Sequence, residues 1–114
     1  MSTISTHVLD TALGQPATGV RVILEQLDAT GVVVSLGLGE TDDDGRLRDL
    51  LPAGQSLERG DYRLRFDTGA YFEATGRTTF YPSVTVDFRV TDAAVHHHVP
   101  LLLSPYGYST YQGS

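Results

Sequence analysis

The sequence predicts an all-β fold, a sandwich or barrel of short strands, and two observations carry that prediction. Apolar residues recur at every second position in several strand-length segments, and clusters of Gly, Pro and Asp divide those segments at short spacing. A period of two puts apolar side chains on one face of a strand and polar ones on the other. Many such segments separated by turn residues describe a sandwich or barrel. The 114 residues fit a single domain over 1–114, since domains cluster at roughly 100–150 residues. A chain of this length buries only about two-thirds of its unfolded surface, so the core is sizeable but not generous.

The elements follow in order. A first strand runs from Ile4 to Leu9 and carries His7. From Val20 to Leu24, the side chains of Val20, Val22 and Leu24 point one way and Arg21 the other. From Val32 to Glu40, Val34, Leu36 and Leu38 share a face opposite Ser35, Gly37 and Gly39. Asp28-Ala29-Thr30-Gly31 joins these two segments as a hairpin turn. Thr41-Asp42-Asp43-Asp44-Gly45 and Pro52-Ala53-Gly54 are loops. Tyr62, Leu64 and Phe66 then alternate with Arg63 and Arg65, and Val84, Val86, Phe88 and Val90 with Thr85, Asp87 and Arg89. Between those strands, one short helix is predicted from Ala70 to Gly76, bounded by Gly69 and Gly76. Tyr106, Tyr108 and Tyr111 fall in the last nine residues. That segment is too aromatic for a solvated tail and reads as a last strand.

Composition removes several chemistries. There is no cysteine, so disulfides, thiolate catalysis and Cys-ligated zinc are excluded. All eight positive charges are arginine, against fourteen acidic residues, for a formal net charge of −6. A lysine Schiff base and a P-loop lysine are thereby excluded, and a basic nucleic-acid surface is not expected. The N-terminal residues carry no positive n-region followed by an apolar h-region. No apolar run approaches the roughly 20 residues that span a bilayer. The expected compartment is the cytoplasm, with no membrane partner.

Histidine carries the candidate chemistry. His96, His97 and His98 are consecutive, so in a strand His96 and His98 share one face and His97 takes the other. Val99, Leu101 and Leu103 lie on the face of His97. If that set is core, His96 and His98 look outward with Pro100 and Leu102. Two imidazoles so placed read as solvent-facing side chains, as metal ligands, or as acid–base groups near neutral pH. A third ligand from His7 on a distant strand would complete a three-histidine zinc site. The acidic loop does not fit the calcium-loop template, because aligning Glu40, Asp42, Asp44 and Gly45 to it places Leu51 where a bidentate Glu is needed. Arg46 directly follows that turn, and its planar fork suits a flat, anionic, amide-rich ligand.

At this point the residues resemble a known family. Ser5-Thr6-His7-Val8-Leu9-Asp10-Thr11 with Gly14-Gln15-Pro16-Ala17, the Asp44-Gly45-Arg46 turn, and the long ending from His96 to Ser114 are similar to the transthyretin-like 5-hydroxyisourate hydrolases. The match runs in order along essentially the whole chain. The ending also separates the hydrolases from vertebrate transthyretin, which shares the fold but lacks the histidine pair. Two positions depart from the family's usual pattern: His97 stands where Tyr is usual, and Gln112 where Arg is usual. His97 points away from the site face, so little effect on chemistry is expected. Gln112 removes a positive charge near the implied site, and a weaker hold on an anionic substrate is expected.

The resemblance implies a two-sheet β-sandwich of about eight strands with one short helix, assembled as a homotetramer with the sites at a dimer–dimer interface. It implies hydrolysis of 5-hydroxyisourate, the product of urate oxidation, without an organic cofactor. His7, Arg46 and His98 are the implied catalytic residues, with His7 and His98 positioning and deprotonating water and Arg46 binding the ring. Tyr111 and Ser114 would shape the pocket, the free carboxylate of Ser114 orienting a histidine, and His96 would be auxiliary. Two other classes remain beside this one. One is a transthyretin-like carrier of small ligands, and the other is a zinc-binding module using His7, His96 and His98.

Overall fold

The structure is a computed structural model that describes residues 3–114. Among these residues it has nine strands and one short helix, in two sheets. The first sheet has β1 (Ile4–Asp10) flanked by β8 (His97–Ser104), which in turn pairs with β9 (Gly107–Thr110). The other edge of β1 holds two two-residue strands, β2 (Gln15–Pro16) and β5 (Arg46–Leu47). The second sheet is ordered β4 (Val33–Glu40), β3 (Arg21–Leu27), β6 (Gly60–Phe66) and β7 (Val84–Val90). All pairings are antiparallel except that of β1 with β8.

The alternation read from sequence builds the core between the sheets. Ile4, Val8, Leu101 and Leu103 come from the first sheet, and Val22, Leu24, Leu64 and Phe66 from the second; all are essentially inaccessible. Each such side chain contributes about 1.5–3 kcal/mol by leaving water. Nine strands are found where about eight were expected, and two of them, β2 and β5, are too short for alternation to register.

Two local expectations are corrected. Val34, Leu36 and Leu38 do not share a core-facing side, because a register shift opposite Leu24 and Glu25 leaves Leu36 without a partner on β3. An extra residue in one strand flips the alternation beyond it. Val34 and Leu38 therefore fall on opposite faces of the sheet; both are exposed, and only Leu36 packs on the core. Gly37 and Gly39 instead lie against the Leu50 carbonyl and the Leu47 side chain, which occupy the space a Cβ would need.

The helix, α1, spans Thr68–Ala74 and not Ala70–Gly76. The cause is Asp67, whose carboxylate accepts from the Ala70 N–H and caps the first turn two residues earlier than the glycine boundary suggested. No helix of the described residues is long and apolar enough to cross a membrane.

A buried carboxylate ties the segment around α1 to β1. Asp10 is fully buried, accepts from the Tyr71 hydroxyl at 2.7 Å, and pairs with the Arg77 guanidinium at 2.6 Å. The same guanidinium sits 5.0 Å from the Phe72 ring centre. Burial alone would raise the Asp10 pKa, but Arg77, Tyr71 and the Leu13 N–H reverse this and hold it below 3.8. The Tyr71 hydroxyl is pushed up to about 12 by burial and by the adjoining carboxylate.

Because the folded pKa of Asp10 is lowered, its stabilisation is present above the ordinary carboxylate value and is lost as pH falls through the folded value. Removing one partner of a buried pair strands the other charge. Arg77→Met should therefore lower the urea-unfolding free energy by about 3 kcal/mol at pH 7 and flatten its acid dependence. A loss under about 0.5 kcal/mol would mean the pair behaves like an exposed one.

Candidate active site

The outer face of the first sheet gathers the predicted chemistry. Parallel pairing sets Ser5 beside His98 and His7 beside Pro100. On the other side of β1, antiparallel pairing sets Arg46 beside His7. Paired residues share a face, and so do residues two apart. Ser5, His7, Arg46 and His98 thus face outward together, and His96 joins them from two residues before His98. The inward set of Val99, Leu101 and Leu103 is buried as predicted.

The acidic turn presents Arg46. Asp42 accepts at one carboxylate oxygen from the N–H groups of Asp44 and Arg46, each at 2.9 Å. The Arg46 N–H and its neighbours hold the Asp42 pKa below 3.8. Gly45 has φ +77°, and a Cβ there would lie 2.4 Å from the Val8 carbonyl oxygen. Only glycine meets both demands. The turn thus turns its carboxylate on its own backbone rather than on a cation.

His7 donates from Nε2 to the Asp44 carbonyl at 2.8 Å, a bond only a protonated Nε2 can make. Its remaining nitrogen is Nδ1. His98 is half-buried and places Nδ1 2.8 Å from the Ser5 hydroxyl, and its Nε2 makes no hydrogen bond among the described residues. Burial is the main cause that holds the His98 pKa below 6.5, followed by His96, Arg46 and His7. This favours the neutral ring, the form that can accept a proton.

A cavity of about 320 Å³ lies over this face, lined by Ser5, Thr6, Arg46, Arg48, His96, His98 and Ser114. Neither Arg46 nor Arg48 is held in an ion pair among the described residues. Gly113 brings Ser114 to the cavity by folding back onto β8, its N–H donating to the His98 carbonyl at 2.8 Å. A Cβ at Gly113 would lie 2.5 Å from Cδ2 of the His98 ring.

The structure thus brings Arg46, His96, His98 and Ser114 to one cavity, with His7 adjoining on β1. Tyr111 lies elsewhere, in a second cavity of about 370 Å³ that it lines with His97, Gln112 and Arg89. His98 borders both cavities. Gln112 likewise faces the second cavity, so the departure from the family's usual arginine falls beside Tyr111 and not beside Arg46. No group of three or more His, Asp or Glu side chains is gathered to hold a metal ion among the described residues. Ser5, Thr6 and Arg48 are the lining residues to which sequence reasoning gave no role. Arg48 is two residues beyond Arg46 and Ser5 two before His7, so alternation was the signal available for those two, whereas Thr6 has the opposite parity.

Residues 4–113 match the model of the HIUase/Transthyretin family. The chain belongs to that family. It is 49% identical over 111 residues to a 5-hydroxyisourate hydrolase of Salmonella dublin, covering 97% of this chain and 80% of that one. It is 47% identical to the 5-hydroxyisourate hydrolase of Caulobacter vibrioides over the full length of both. Among solved structures, Klebsiella pneumoniae 5-hydroxyisourate hydrolase superposes with a TM-score of 0.85 at 38% identity, over 99% of this chain and 100% of that one. The HIUase/Transthyretin fold is thus the two-sheet sandwich that the resemblance implied.

Two measurements check this geometry. The His98 imidazole should titrate below 6.5 by NMR, and a midpoint above that value would contradict its burial. Gly113→Ala should displace the His98 ring resonances while leaving the far-ultraviolet circular dichroism unchanged; unmoved resonances would mean the chain end does not pack on the ring.

Proposed function

We propose that this chain hydrolyses 5-hydroxyisourate to 2-oxo-4-hydroxy-4-carboxy-5-ureidoimidazoline in urate catabolism. The observation that carries the reading is a half-buried His98 whose Nε2 makes no hydrogen bond among the described residues, at one cavity with two guanidiniums that no carboxylate there pairs. Full-length similarity to proteins named 5-hydroxyisourate hydrolase supports the substrate.

The residues divide the work by their chemistry. His98 takes a proton from water at Nε2 as the water oxygen attacks a ring carbonyl of the substrate. The electron pair of that carbonyl moves onto oxygen, and Arg46 stabilises the resulting oxyanion. Collapse breaks the ring C–N bond, the leaving nitrogen takes the proton back from His98, and the attacked carbon becomes a carboxyl group. General-base catalysis of this kind contributes about 10²–10⁴-fold, and a fixed donor at the oxyanion about 10²–10³-fold. His7, fixed by Asp44 in the Nε2–H form, holds the substrate from the adjoining strand position. Ser114 closes the cavity floor near Arg46, and Tyr111 borders the site from the far side of His98. His96 is auxiliary, acting through Ser5.

We further propose a homotetramer. At one end of the sandwich, β7 and β9 are both sheet edges, and Tyr106, Tyr108 and Tyr111 are exposed beside them. Unpaired strand edges are templates for pairing with another chain. Sedimentation should give about four times the 12.3 kDa chain mass; a monomer would overturn this part. The proposed compartment is the cytoplasm, a reading that comes from the sequence pattern alone.

The test generates 5-hydroxyisourate in situ from urate and urate oxidase and follows its absorbance decay. The protein should accelerate that decay, and His98→Ala and Arg46→Ala should each lower kcat by about 10²-fold or more with the assembly intact. Because the base must be unprotonated, kcat should be constant near neutrality and fall on acidification with a midpoint below 6.5. Near-normal rates in both variants would remove the assigned roles.

A further inference from the structure

The Ser5 hydroxyl touches two imidazoles at once. Its Oγ lies 2.7 Å from Nε2 of His96 and 2.8 Å from Nδ1 of His98. Ser5 is itself only 6% exposed, so little water competes for these bonds. The arrangement is a product of register: Ser5 is the β1 partner of His98, and His96 precedes His98 by one alternation.

We propose that Ser5 is a positioning residue that fixes which nitrogen of His98 carries the ring proton. This rests on His98 being the base of the hydrolysis proposed above. A hydroxyl has one proton, so it can donate to only one of the two nitrogens and must accept from the other. Two arrangements satisfy both distances when the rings are neutral. In one, Ser5 donates to Nδ1 of His98 and accepts from the Nε2–H of His96. His98 then carries its proton on Nε2 and has no lone pair for water.

In the other arrangement, Ser5 donates to Nε2 of His96 and accepts from the Nδ1–H of His98. The Nε2 lone pair of His98 is then free for the water proton. Once Nε2 has taken that proton, both nitrogens of His98 are donors, and only the second arrangement keeps both Ser5 bonds. The hydrogen bonds that serve the neutral base therefore serve the imidazolium unchanged, so no reorganisation accompanies proton transfer. Fixed partners of this kind lower barriers because they are already placed for the charge that develops. The proton moves only between water and Nε2; Ser5 keeps its own proton throughout. His96 gains a defined part, as the neutral acceptor that holds the Ser5 hydroxyl turned away from His98. Coupling of this kind makes the tautomers of the two rings interdependent: when Nε2 of His96 accepts, Nδ1 of His98 must donate.

The test compares Ser5→Ala, Ser5→Thr and His96→Ala with the unmutated protein in two readouts. The first is kcat and KM for 5-hydroxyisourate; the second is the ¹⁵N chemical shifts of the His98 ring, which report its tautomer directly. Ser5→Ala should lower kcat roughly 10- to 100-fold, the usual cost of losing a group that orients a working histidine, with KM changed less than about threefold. The His98 shifts should move from the Nδ1–H form toward a mixture. Ser5→Thr keeps a hydroxyl and should restore both kcat and the shifts. His96→Ala, a change at an exposed residue, should reproduce the Ser5→Ala loss, and combining the two should cost little more than either alone.

An unchanged kcat in Ser5→Ala, an Nδ1–H tautomer that persists without Ser5, or additive losses in the double variant would each overturn the proposal. If the unmutated protein fails to hydrolyse 5-hydroxyisourate, that result defeats the functional reading, and the ¹⁵N shifts still decide whether Ser5 sets the tautomer.

Discussion

Seven consecutive residue pairs join β1 to β8 in parallel, from Ile4 opposite His97 to Asp10 opposite Leu103. Both the core and the site depend on that ladder. Its inward positions bring Val8 and Leu101 together, and its outward positions bring Ser5 to His98. A slip of one residue would send every side chain of the strand to the opposite face. It would expose the apolar set and bury the imidazoles in one step. The packing that stabilises the sandwich thereby also fixes the distance between hydroxyl and imidazole, so the chemistry inherits the rigidity of the core.

Charge is distributed to the same end. The chain is acidic, yet the face over His98 presents arginine. Arg63, Arg77 and Arg89 are engaged by Asp87, Asp10 and Asp61 at 2.6–2.7 Å, on other parts of the surface. Asp42, in the turn that Arg46 directly follows, is turned to its own backbone. Arg46 and Arg48 make no ion pair among the described residues. A positive cavity on a negative molecule concentrates anionic ligands locally while the rest of the surface repels them.

Much of this was legible in the sequence. Alternation was sufficient to place Tyr62, Leu64 and Phe66 in the core and to separate His97 from its two neighbours, because a period of two is a purely local property. The strands that sequence missed, β2 and β5, have two residues each and exist only through pairing with β1. The bulge at Leu36 was hidden for the same reason, since a register shift is a relation between strands. At the site, the family resemblance supplied His7, Arg46 and His98. It did not supply the Ser5 bridge, which requires knowing that residues 93 apart in sequence are lateral neighbours. Tyr111 was expected in the pocket, but it lies just past the end of β9 and lines the neighbouring cavity, which His98 also borders.

The same parallel ladder governs when function can appear. Its two strands come from opposite ends of the chain, and the bonds from Ser5 to His98 and from Thr6 to Val99 each close a loop of 93 residues. Closing so long a loop is entropically unfavourable until many contacts form together, and folds dominated by such contacts are slow to form. During synthesis β3, β4, β6 and β7 can pair among themselves, but β1 has no parallel neighbour until residues 97–104 leave the ribosome. β1 must wait, with one edge open, for β8. The site over His98 is consequently a late product of folding: a growing chain can hold most of its sandwich before it has any catalytic geometry.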